Sequence, residues 1–179
     1  NPDWFLENVD FYDDYDRNGP KIFVGEWGAQ TVGVASPNNR NNWHCALYEA
    51  AFMTGMERNA DIVTMSCYAP LFGNLDAWQW TPNMIWFDNL NVYGTPNYYV
   101  QQAFSINRGD VVLPVRLTGT SASAGMQPRL CVSAVRDDKT GEIIIKVVNV
   151  TDGLIEVSIN LQGVEKAGLT EDDNEGSSN

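Results

Sequence analysis

A single carboxylate stands at the end of a short apolar run in KIFVGEWG, residues 21–28. The run has the length and composition of a buried strand, and core packing is a poor explanation for a charged residue at its end. Glu26 could act on the anomeric carbon of a sugar, as carboxylates do in glycosidases, while the neighbouring Trp27 ring could stack on sugar C–H faces. We expect Gly25 to let the backbone pack closely. Catalysis is therefore our interpretation of Glu26, with a structural ion pair or a helix N-cap as the alternative.

A second group of residues suited to sugar binding lies in the predicted loop 69–95. This loop follows a second apolar run, and in α/β barrels the loops after the strands form the active site. Asn74 and Trp27 are therefore predicted to contact the sugar itself. Trp78 and Trp80 are predicted to form a platform for the rest of the substrate, with a place in the core of the loop as the alternative.

The composition argues against several other kinds of chemistry. Net charge is −12, from 11 basic and 23 acidic residues, and a nucleic-acid partner would require a basic footprint instead. His44 is the single histidine, and the three cysteines have no metal-ligand spacing, so we expect no metal and no cofactor. No apolar run reaches the roughly 18 residues that a membrane-spanning helix needs, so we expect no membrane partner.

The elements that would position Glu26 alternate between helix and strand. An opening helix is predicted from the N-cap Asn1 to a stop signal at residues 18–20. The other predicted elements are strands at 21–25 and 61–68 and helices at 43–58 and 96–106. Such an alternation of continuous apolar strands with helices indicates a parallel sheet covered on both faces.

After residue 108 the pattern changes to short β-rich runs. Four of them, separated by turn signals, lie at residues 110–117, 129–136, 142–150 and 154–161. We therefore predict an α/β part at residues 1–107 and an all-β, antiparallel part at residues 108–168. The acidic and polar residues 169–179 are predicted to form a disordered tail.

Four motifs together resemble one enzyme family. KIFVGEWG, NADIVTMSCYAPLFGN, WTPNMIWFDN and YGTPNYYVQQAF occur in this order, and the combination is similar to the C-terminal part of an α-L-arabinofuranosidase of glycoside hydrolase family 51. The resemblance runs from about residue 1 to 115 and continues more loosely into the β-rich part. It implies the end of a (β/α)8 barrel followed by an antiparallel β-sandwich of jelly-roll type. Residues 21–25 and 61–68 would be the seventh and eighth barrel strands.

The resemblance also implies a mechanism of which this chain would hold only one half. The family retains configuration with two glutamates, and the motif places the nucleophile on Glu26. The acid/base glutamate of the family lies in an Asn-Glu pair after the fourth strand. Here the pair at residues 174–175 lies in the polar tail, and Glu7 and Glu49 lie on predicted helices. We therefore expect an incomplete barrel that lacks its first six strand–helix units and its acid/base residue, and a fragment that is inactive alone.

The expected function of the longer parent protein is exo-acting release of terminal arabinofuranose from arabinan or arabinoxylan. Its partner would be an arabinose-containing polysaccharide or oligosaccharide. The parent would be secreted, to an extracellular or periplasmic location. The sequence leaves open whether the parent forms a homo-oligomer. A related retaining barrel enzyme, such as an endoglucanase or a xylosidase, is one alternative. A non-catalytic sugar-binding or structural module is the weaker alternative, because no Trp, Tyr or Phe occurs from residue 108 onward to form a binding platform.

Overall fold

The architecture is that of a computed structural model, which describes residues 1–118 and 130–163. Within these ranges the chain forms eight strands and three helices. The strands are divided among three small sheets, and no helix of the described ranges is long and apolar enough to cross a bilayer. The described residues form an α/β part followed by a β part, which agrees in outline with the prediction. The boundary at residue 108 stays a prediction, and the tail 169–179 lies outside the described residues.

The sheet that carries Glu26 is a parallel pair. β1 (Ile22–Trp27) and β2 (Val63–Tyr68) lie side by side, and the helix α2 (Trp43–Arg58) connects them. A parallel pair requires such a crossover, because the chain must return to the starting end of the sheet. The prediction of two parallel strands joined by a helix is confirmed, with strand ends displaced by one or two residues.

Two of the predicted helices have the expected bounds. α2 begins after the N-cap Asn42, whose Oδ1 accepts a 2.8 Å hydrogen bond from the Cys45 amide. The later helix covers Pro96–Ile106 and begins after Thr95, whose hydroxyl oxygen caps it. Its first residue is proline, which is tolerated there because the first turn has no partner for an N–H. The predicted bounds of both helices are therefore confirmed.

The opening helix is much shorter than predicted. α1 covers only Pro2–Glu7, and turns replace the helix that the sequence predicts up to residue 18. The reason is a tertiary contact, because the Val9 carbonyl accepts a 3.0 Å hydrogen bond from Arg58 Nη2. The same carbonyl lies against Gly55, where a Cβ would come within 1.9 Å of the Val9 oxygen. α2 thus holds a carbonyl that a longer α1 would have used internally.

The predicted loop 69–95 contains a second small sheet, so the prediction of a continuous loop is wrong. β3 (Phe72–Asn74), β4 (Ile85–Phe87) and β5 (Val92–Gly94) pair in that order. β3 and β4 are parallel, whereas β4 and β5 are antiparallel. Each strand has only three residues, which is too short for a periodic pattern to reveal. The later helix, Pro96–Ile106, follows this sheet and is α3.

The β-rich part forms a third sheet, which is antiparallel throughout. Its strands are β6 (Val111–Leu113), β7 (Leu130–Arg136) and β8 (Ile143–Asn149). The predicted turn at residues 137–141 joins β7 to β8. The prediction of a further strand at residues 154–161 is wrong, because these residues pair with no strand of the described ranges. Their apolar side chains are largely exposed, with Leu154 at 95%, so no sheet of the described ranges covers them.

α2 connects the parallel pair to the third sheet. It packs between two apolar clusters, one shared with β1 and β2 and the other with β7 and β8. Near its C-terminal end, Glu57 Oε1 pairs with Lys146 Nζ at 2.6 Å. Glu57 Oε2 accepts a 2.5 Å hydrogen bond from the Ser133 hydroxyl. Among the described residues, the α/β part and the third sheet are therefore joined by apolar contact, by the Glu57–Lys146 ion pair and by the Ser133–Glu57 hydrogen bond.

Candidate active site

A β-bulge determines which face of β1 Glu26 occupies. The parallel pair aligns Glu26 with Cys67, and the register shifts between Val24 and Glu26, which makes Gly25 an extra residue on β1. Successive strand residues point to opposite faces, so Glu26 would share the face of Val24 without the bulge. With the bulge, it shares the face of Phe23 instead.

This face of the parallel pair is the exposed one. Phe23 and Met65 lie opposite each other and are 58% and 60% exposed, whereas Val24 packs against the apolar cluster below the sheet. Glu26 and Cys67 are exposed as well. Enzymes with parallel barrels place catalytic groups at the C-terminal ends of their strands. The structure therefore puts the Glu26 carboxylate where a substrate could reach it.

Gly25 does not serve the close packing that the sequence suggested. A Cβ at Gly25 would meet no atom within 4 Å among the described residues, so that prediction is wrong for this part of the chain. The close approach occurs at Gly28, where a Cβ would lie 3.1 Å from the Ala69 carbonyl oxygen and 3.1 Å from the Tyr68 ring. Gly28 thus lets the ends of β1 and β2 approach, and Gly25 provides the bulge.

The indole of Trp27 lies on the opposite face from Glu26. It is 8% exposed and contacts the rings of Phe5 and Phe52, with centroid distances of 5.8 Å and 6.0 Å. Its Nε1 has no hydrogen-bond partner in the described parts of the chain. A cavity of about 350 Å³ lies beside it, lined by Asn1, Trp4, Phe5, Tyr12, Val24, Glu26, Trp27, Gly28 and Phe52. Most of this lining comes from the helix side of the strand, so sugar stacking by Trp27 stays a prediction.

A larger cavity lies beside the second sheet. It has a volume of about 540 Å³, and its aromatic lining is Trp78, Trp86 and Tyr93. Trp78 is 40% exposed, and its ring meets that of Trp86 edge-on at a centroid distance of 6.4 Å. Asn41 adds a polar side chain to the wall. Aromatic rings beside an amide are suited to a sugar, and Trp78 is the predicted platform residue that the structure places here.

Trp80 and Asn74 do not line the larger cavity. Trp80 is 49% exposed. Asn74 ends β3, and its Oδ1 accepts a 2.9 Å hydrogen bond from the Asp76 amide. The two cavities share no lining residue. Glu26 and Trp27 thus line the smaller cavity, and Trp78 lines the larger one. The substrate contacts of Trp27, Asn74, Trp78 and Trp80 stay predictions.

The sequence reasoning missed a buried carboxylate beside the site. Glu49 on α2 is 0% exposed, and its two oxygens accept hydrogen bonds from the Ala29 amide at 2.6 Å and from Asn97 Nδ2 at 2.8 Å. Burial raises the pKa of Glu49 to about 7, against the lowering effect of these hydrogen bonds. A signal was present in the sequence, because Ala46 and Met53 at helical spacing from Glu49 mark that face of α2 as apolar.

The described residues offer no metal centre and one accessible thiol. In the ranges that the structure describes, no group of three or more His, Cys, Asp and Glu side chains is arranged to hold a metal ion. Cys45 and Cys131 are buried, and burial raises the pKa of each thiol to about 11. Both thiols are therefore protonated near neutral pH and unreactive, whereas Cys67 is exposed.

Comparison with known proteins identifies the family of the chain. The family model described as the α-L-arabinofuranosidase C-terminal domain matches residues 25–173. The chain belongs to this family. The matched range of this α-L-arabinofuranosidase C-terminal domain begins one residue before Glu26 and includes everything from β2 to β8. The resemblance that the motifs carry is therefore confirmed.

Relatives named as α-L-arabinofuranosidases match this family member over most of its length. An extracellular exo-α-L-arabinofuranosidase of Streptomyces chartreusis is 48% identical over 124 residues, which are 69% of this chain and 14% of that protein. α-L-Arabinofuranosidase 2 of Arabidopsis thaliana is 39% identical over 160 residues, which are 89% of this chain and 22% of that protein. The chain thus spans less than a quarter of the length of either relative.

Solved structures agree with the family assignment. An arabinose-bound α-L-arabinofuranosidase of glycoside hydrolase family 51 aligns with a TM-score of 0.73 and 34% identity, over 83% of this chain and 24% of its own. A family 51 arabinofuranosidase from Xanthomonas axonopodis pv. citri aligns with a TM-score of 0.58 and 23% identity, over 82% of this chain and 31% of its own. The second likeness concerns the fold alone.

Proposed function

We propose that this chain is the C-terminal portion of a retaining, exo-acting α-L-arabinofuranosidase in which Glu26 is the catalytic nucleophile. The parent would release terminal arabinofuranose from arabinan or arabinoxylan. The observation that carries the proposal is the bulge at Gly25, which puts an exposed carboxylate on the open face of a parallel pair at the C-terminal end of its strand. Membership of the family supports the reaction class.

Glu26 would act through a covalent intermediate. In retaining glycosidases one carboxylate attacks the anomeric carbon while a second carboxyl group, roughly 5–5.5 Å away, protonates the departing oxygen. The second group then deprotonates the water that hydrolyses the glycosyl-enzyme. Glu49 does not suit this second role, because it is fully buried and both of its oxygens already accept hydrogen bonds. We place the acid/base residue on a part of the parent outside this chain.

The proposed architecture is the end of a (β/α)8 barrel followed by a β-sandwich of jelly-roll type. β1 and β2 would be the seventh and eighth barrel strands, and β6, β7 and β8 would belong to the sandwich. The parallel pairing supports this, as do the exposed apolar side chains of Phe23 and Met65, which further strands would cover. Two strands cannot close a barrel. The isolated chain is therefore expected to be inactive.

The role of Glu26 is tested by replacing it in the full-length parent. Glu26→Ala should lower the hydrolysis of an aryl α-L-arabinofuranoside by about 10⁴-fold or more, because the covalent route is lost. Added azide should then enter where the carboxylate is missing and attack the anomeric carbon as the aryl group leaves. The product should be an arabinofuranosyl azide of inverted anomeric configuration, detected by NMR.

The control for this test is a carboxylate remote from the site. Glu142→Ala, in the exposed turn between β7 and β8, should leave hydrolysis unchanged and yield no azide product. Retained hydrolysis in the Glu26→Ala protein would overturn the nucleophile assignment. So would a loss of activity that azide does not convert into the inverted glycosyl azide.

The substrate class and the location need separate tests. Aryl arabinofuranosides should be hydrolysed far faster than aryl xylosides or glucosides, and the reverse preference would favour a xylosidase or an endoglucanase. The relative named as extracellular in Streptomyces chartreusis supports a secreted location for the parent. Fractionation of the source cells should find the activity outside the cytoplasm.

A further inference from the structure

A continuous set of hydrogen bonds runs from the larger cavity to the end of β1. Trp86 Nε1 donates to Asn41 Oδ1 at 3.3 Å. Asn41 Nδ2 donates to Asn97 Oδ1 at 3.0 Å, and Asn97 Nδ2 donates to Glu49 Oε2 at 2.8 Å. The remaining oxygen, Glu49 Oε1, accepts a 2.6 Å hydrogen bond from the Ala29 amide. These five residues form the Glu49 relay.

The centre of the Glu49 relay is removed from water. Glu49 and Asn97 are 0% exposed, and Ala29 is 1% exposed. A buried polar group that loses its partner costs more than the hydrogen bond itself contributes, so these links hold their geometry tightly. The relay joins three elements, because Ala29 follows β1, Glu49 lies in the middle of α2, and Asn97 lies in the first turn of α3.

The Ala29 amide is connected to Glu26 by a short and constrained stretch of backbone. Ala29 follows Glu26 by three positions. Between them, Trp27 is fixed in the apolar cluster, and Gly28 lies in close contact with the end of β2. The Trp27 carbonyl also accepts a 3.0 Å hydrogen bond from the Ala69 amide. Because the backbone at Trp27 and Gly28 is held in place, the position of the Ala29 amide determines the position of the C-terminal end of β1.

We propose that Glu49 is a positioning residue for the nucleophile, acting through the Ala29 amide on the end of β1 and through Asn97 and Asn41 on the wall of the larger cavity. This inference rests on the proposed role of Glu26. Glu49 itself touches no substrate, because it is fully buried. A displacement of about 1 Å in a reacting group costs about 100-fold in rate, so a loosened relay lowers kcat.

The titratable groups around Glu49 do not stabilise its carboxylate with a positive charge, so the carboxylate depends on the hydrogen bonds of the relay. Its titratable neighbours are Cys45 on α2 and Tyr68 at the end of β2, and burial followed by the nearby Glu49 carboxylate raises the pKa of both. The Tyr68 hydroxyl lies close to the Glu49 carboxylate, and their interaction lowers the pKa of Glu49 and raises that of Tyr68. Neither neighbour is a cation. The hydrogen bonds from Ala29 and Asn97 therefore stabilise the carboxylate, and its protonation weakens the relay.

The test compares relay variants of the full-length parent with a matched control. Glu49→Gln keeps the shape of the side chain but replaces one accepting oxygen by a donor, and Asn97→Ala removes the next link. The control is Asn59→Ala, since Asn59 is also a buried asparagine, at 1% exposed, but its side chain bonds to Asp13 and Gly55 near the far end of α2.

The expected result is a loss in kcat that the control does not share. At a temperature where all variants are folded, Glu49→Gln and Asn97→Ala should lower kcat on an aryl arabinofuranoside by about 10- to 100-fold with KM within about threefold. Asn59→Ala should keep kcat within about twofold. The double variant should be little worse than either single one, because both break the same connection.

A pH profile separates positioning from simple loss of packing. In the unchanged parent kcat should rise as Glu49 ionises, and the Glu49→Gln protein should lack this step. Equal kcat values for the two relay variants and the control, or an unchanged pH profile in Glu49→Gln, would overturn the inference while leaving the role of Glu26 intact. Failure of the proposed function would be seen separately, as retained hydrolysis in the Glu26→Ala protein.

Discussion

Glu26 and Cys67 are aligned across the parallel pair, so their side chains lie on the same exposed face of the sheet. Neighbouring strands are about 4.8 Å apart, which places the thiol one strand spacing from the proposed nucleophile. A sugar held at Glu26 would therefore lie over Cys67. The bulge at Gly25 creates this proximity, because without it Glu26 would face the helices.

Alkylation of Cys67 should inactivate the parent. An iodoacetamide adduct on this thiol would occupy the space beside Glu26 and prevent a near-attack geometry. The activity on an aryl arabinofuranoside should therefore fall by about 10-fold or more. Cys45 and Cys131 should stay unlabelled, because burial keeps their thiols protonated. Peptide mass spectrometry identifies the labelled residue, and added arabinose should slow the labelling.

The control for the alkylation is the Cys67→Ala parent, which should keep its activity in the presence of the reagent. Any inactivation through a cysteine elsewhere in the parent would be common to both proteins. If the Cys67→Ala protein lost activity at the same rate as the unchanged one, Cys67 would not border the sugar site.

Gly55→Ala should destabilise the protein strongly. Alanine is a better helix former than glycine by about 1 kcal/mol, but the new Cβ would lie 1.9 Å from the Val9 carbonyl oxygen. Such overpacking against backbone typically costs about 1–3 kcal/mol or more, so the net effect is a lower melting temperature. Gly153→Ala is the control, because its Cβ would have only one neighbour, at 4.0 Å. Equal melting temperatures for the two variants would contradict the close contact.

The sequence could predict those features of the site that follow from the pattern of neighbouring residues along the chain. The apolar run that stops on Glu26 was enough to predict a strand ending near this carboxylate, whose catalytic role stays a proposal. The bulge was not predictable, because it exists only in the register between β1 and β2. The same holds for the face that Trp27 occupies, since a Glu-Trp pair at a strand end does not say which residue turns inward.

The elements that were predicted wrongly depend on contacts between distant residues. α1 ends at Glu7 because Arg58 of α2 donates a hydrogen bond to the Val9 carbonyl, and the pattern of the first twenty residues does not predict that contact. β3, β4 and β5 are too short to have a period. Glu49 is the exception, because a lone glutamate on an apolar helix face could have been recognised as a buried charge in need of partners.

Lys146→Met should destabilise the junction between α2 and the third sheet. The Lys146 and Glu57 side chains are 10% and 14% exposed and pair at 2.6 Å, and Lys146 also lies over the Phe104 ring at 5.4 Å. Removing one partner leaves a nearly buried charge unpaired, which costs roughly 3 kcal/mol. Chemical denaturation measures the loss, and the Glu57→Gln, Lys146→Met double variant should recover part of it.

The control for the ion pair is Asp138→Asn. Asp138 pairs with Arg136 at 2.8 Å, but the side chains of the two residues are 51% and 46% exposed. Solvent screens such a pair, so its loss should cost less than about 1 kcal/mol. Comparable losses in the Lys146→Met and Asp138→Asn proteins would mean that the Glu57–Lys146 pair does not hold the junction.

Glu49 should make the protein less stable as the pH rises from about 4.5 to about 7. Burial raises the pKa of this carboxyl from 4.5 to about 7 in the folded chain. Between these values the unfolded chain has released the proton while the folded chain still binds it, so rising pH favours unfolding. At about 1.4 kcal/mol per pH unit, the change is on the order of 3 kcal/mol. Below this window both states are protonated, and above it both are ionised, so the contribution is flat on either side.

The measurement is the difference between the unchanged protein and Glu49→Gln in the pH dependence of the unfolding free energy. Other titrating groups, such as Asp13 beside Arg58, contribute equally to both proteins and cancel. The unchanged protein should lose stability relative to Glu49→Gln across the window and in no other range. Parallel curves would mean that Glu49 ionises as easily in the folded chain as in the unfolded one. That outcome would contradict the structure, because Glu49 is buried and its titratable neighbours, Cys45 and Tyr68, include no cation.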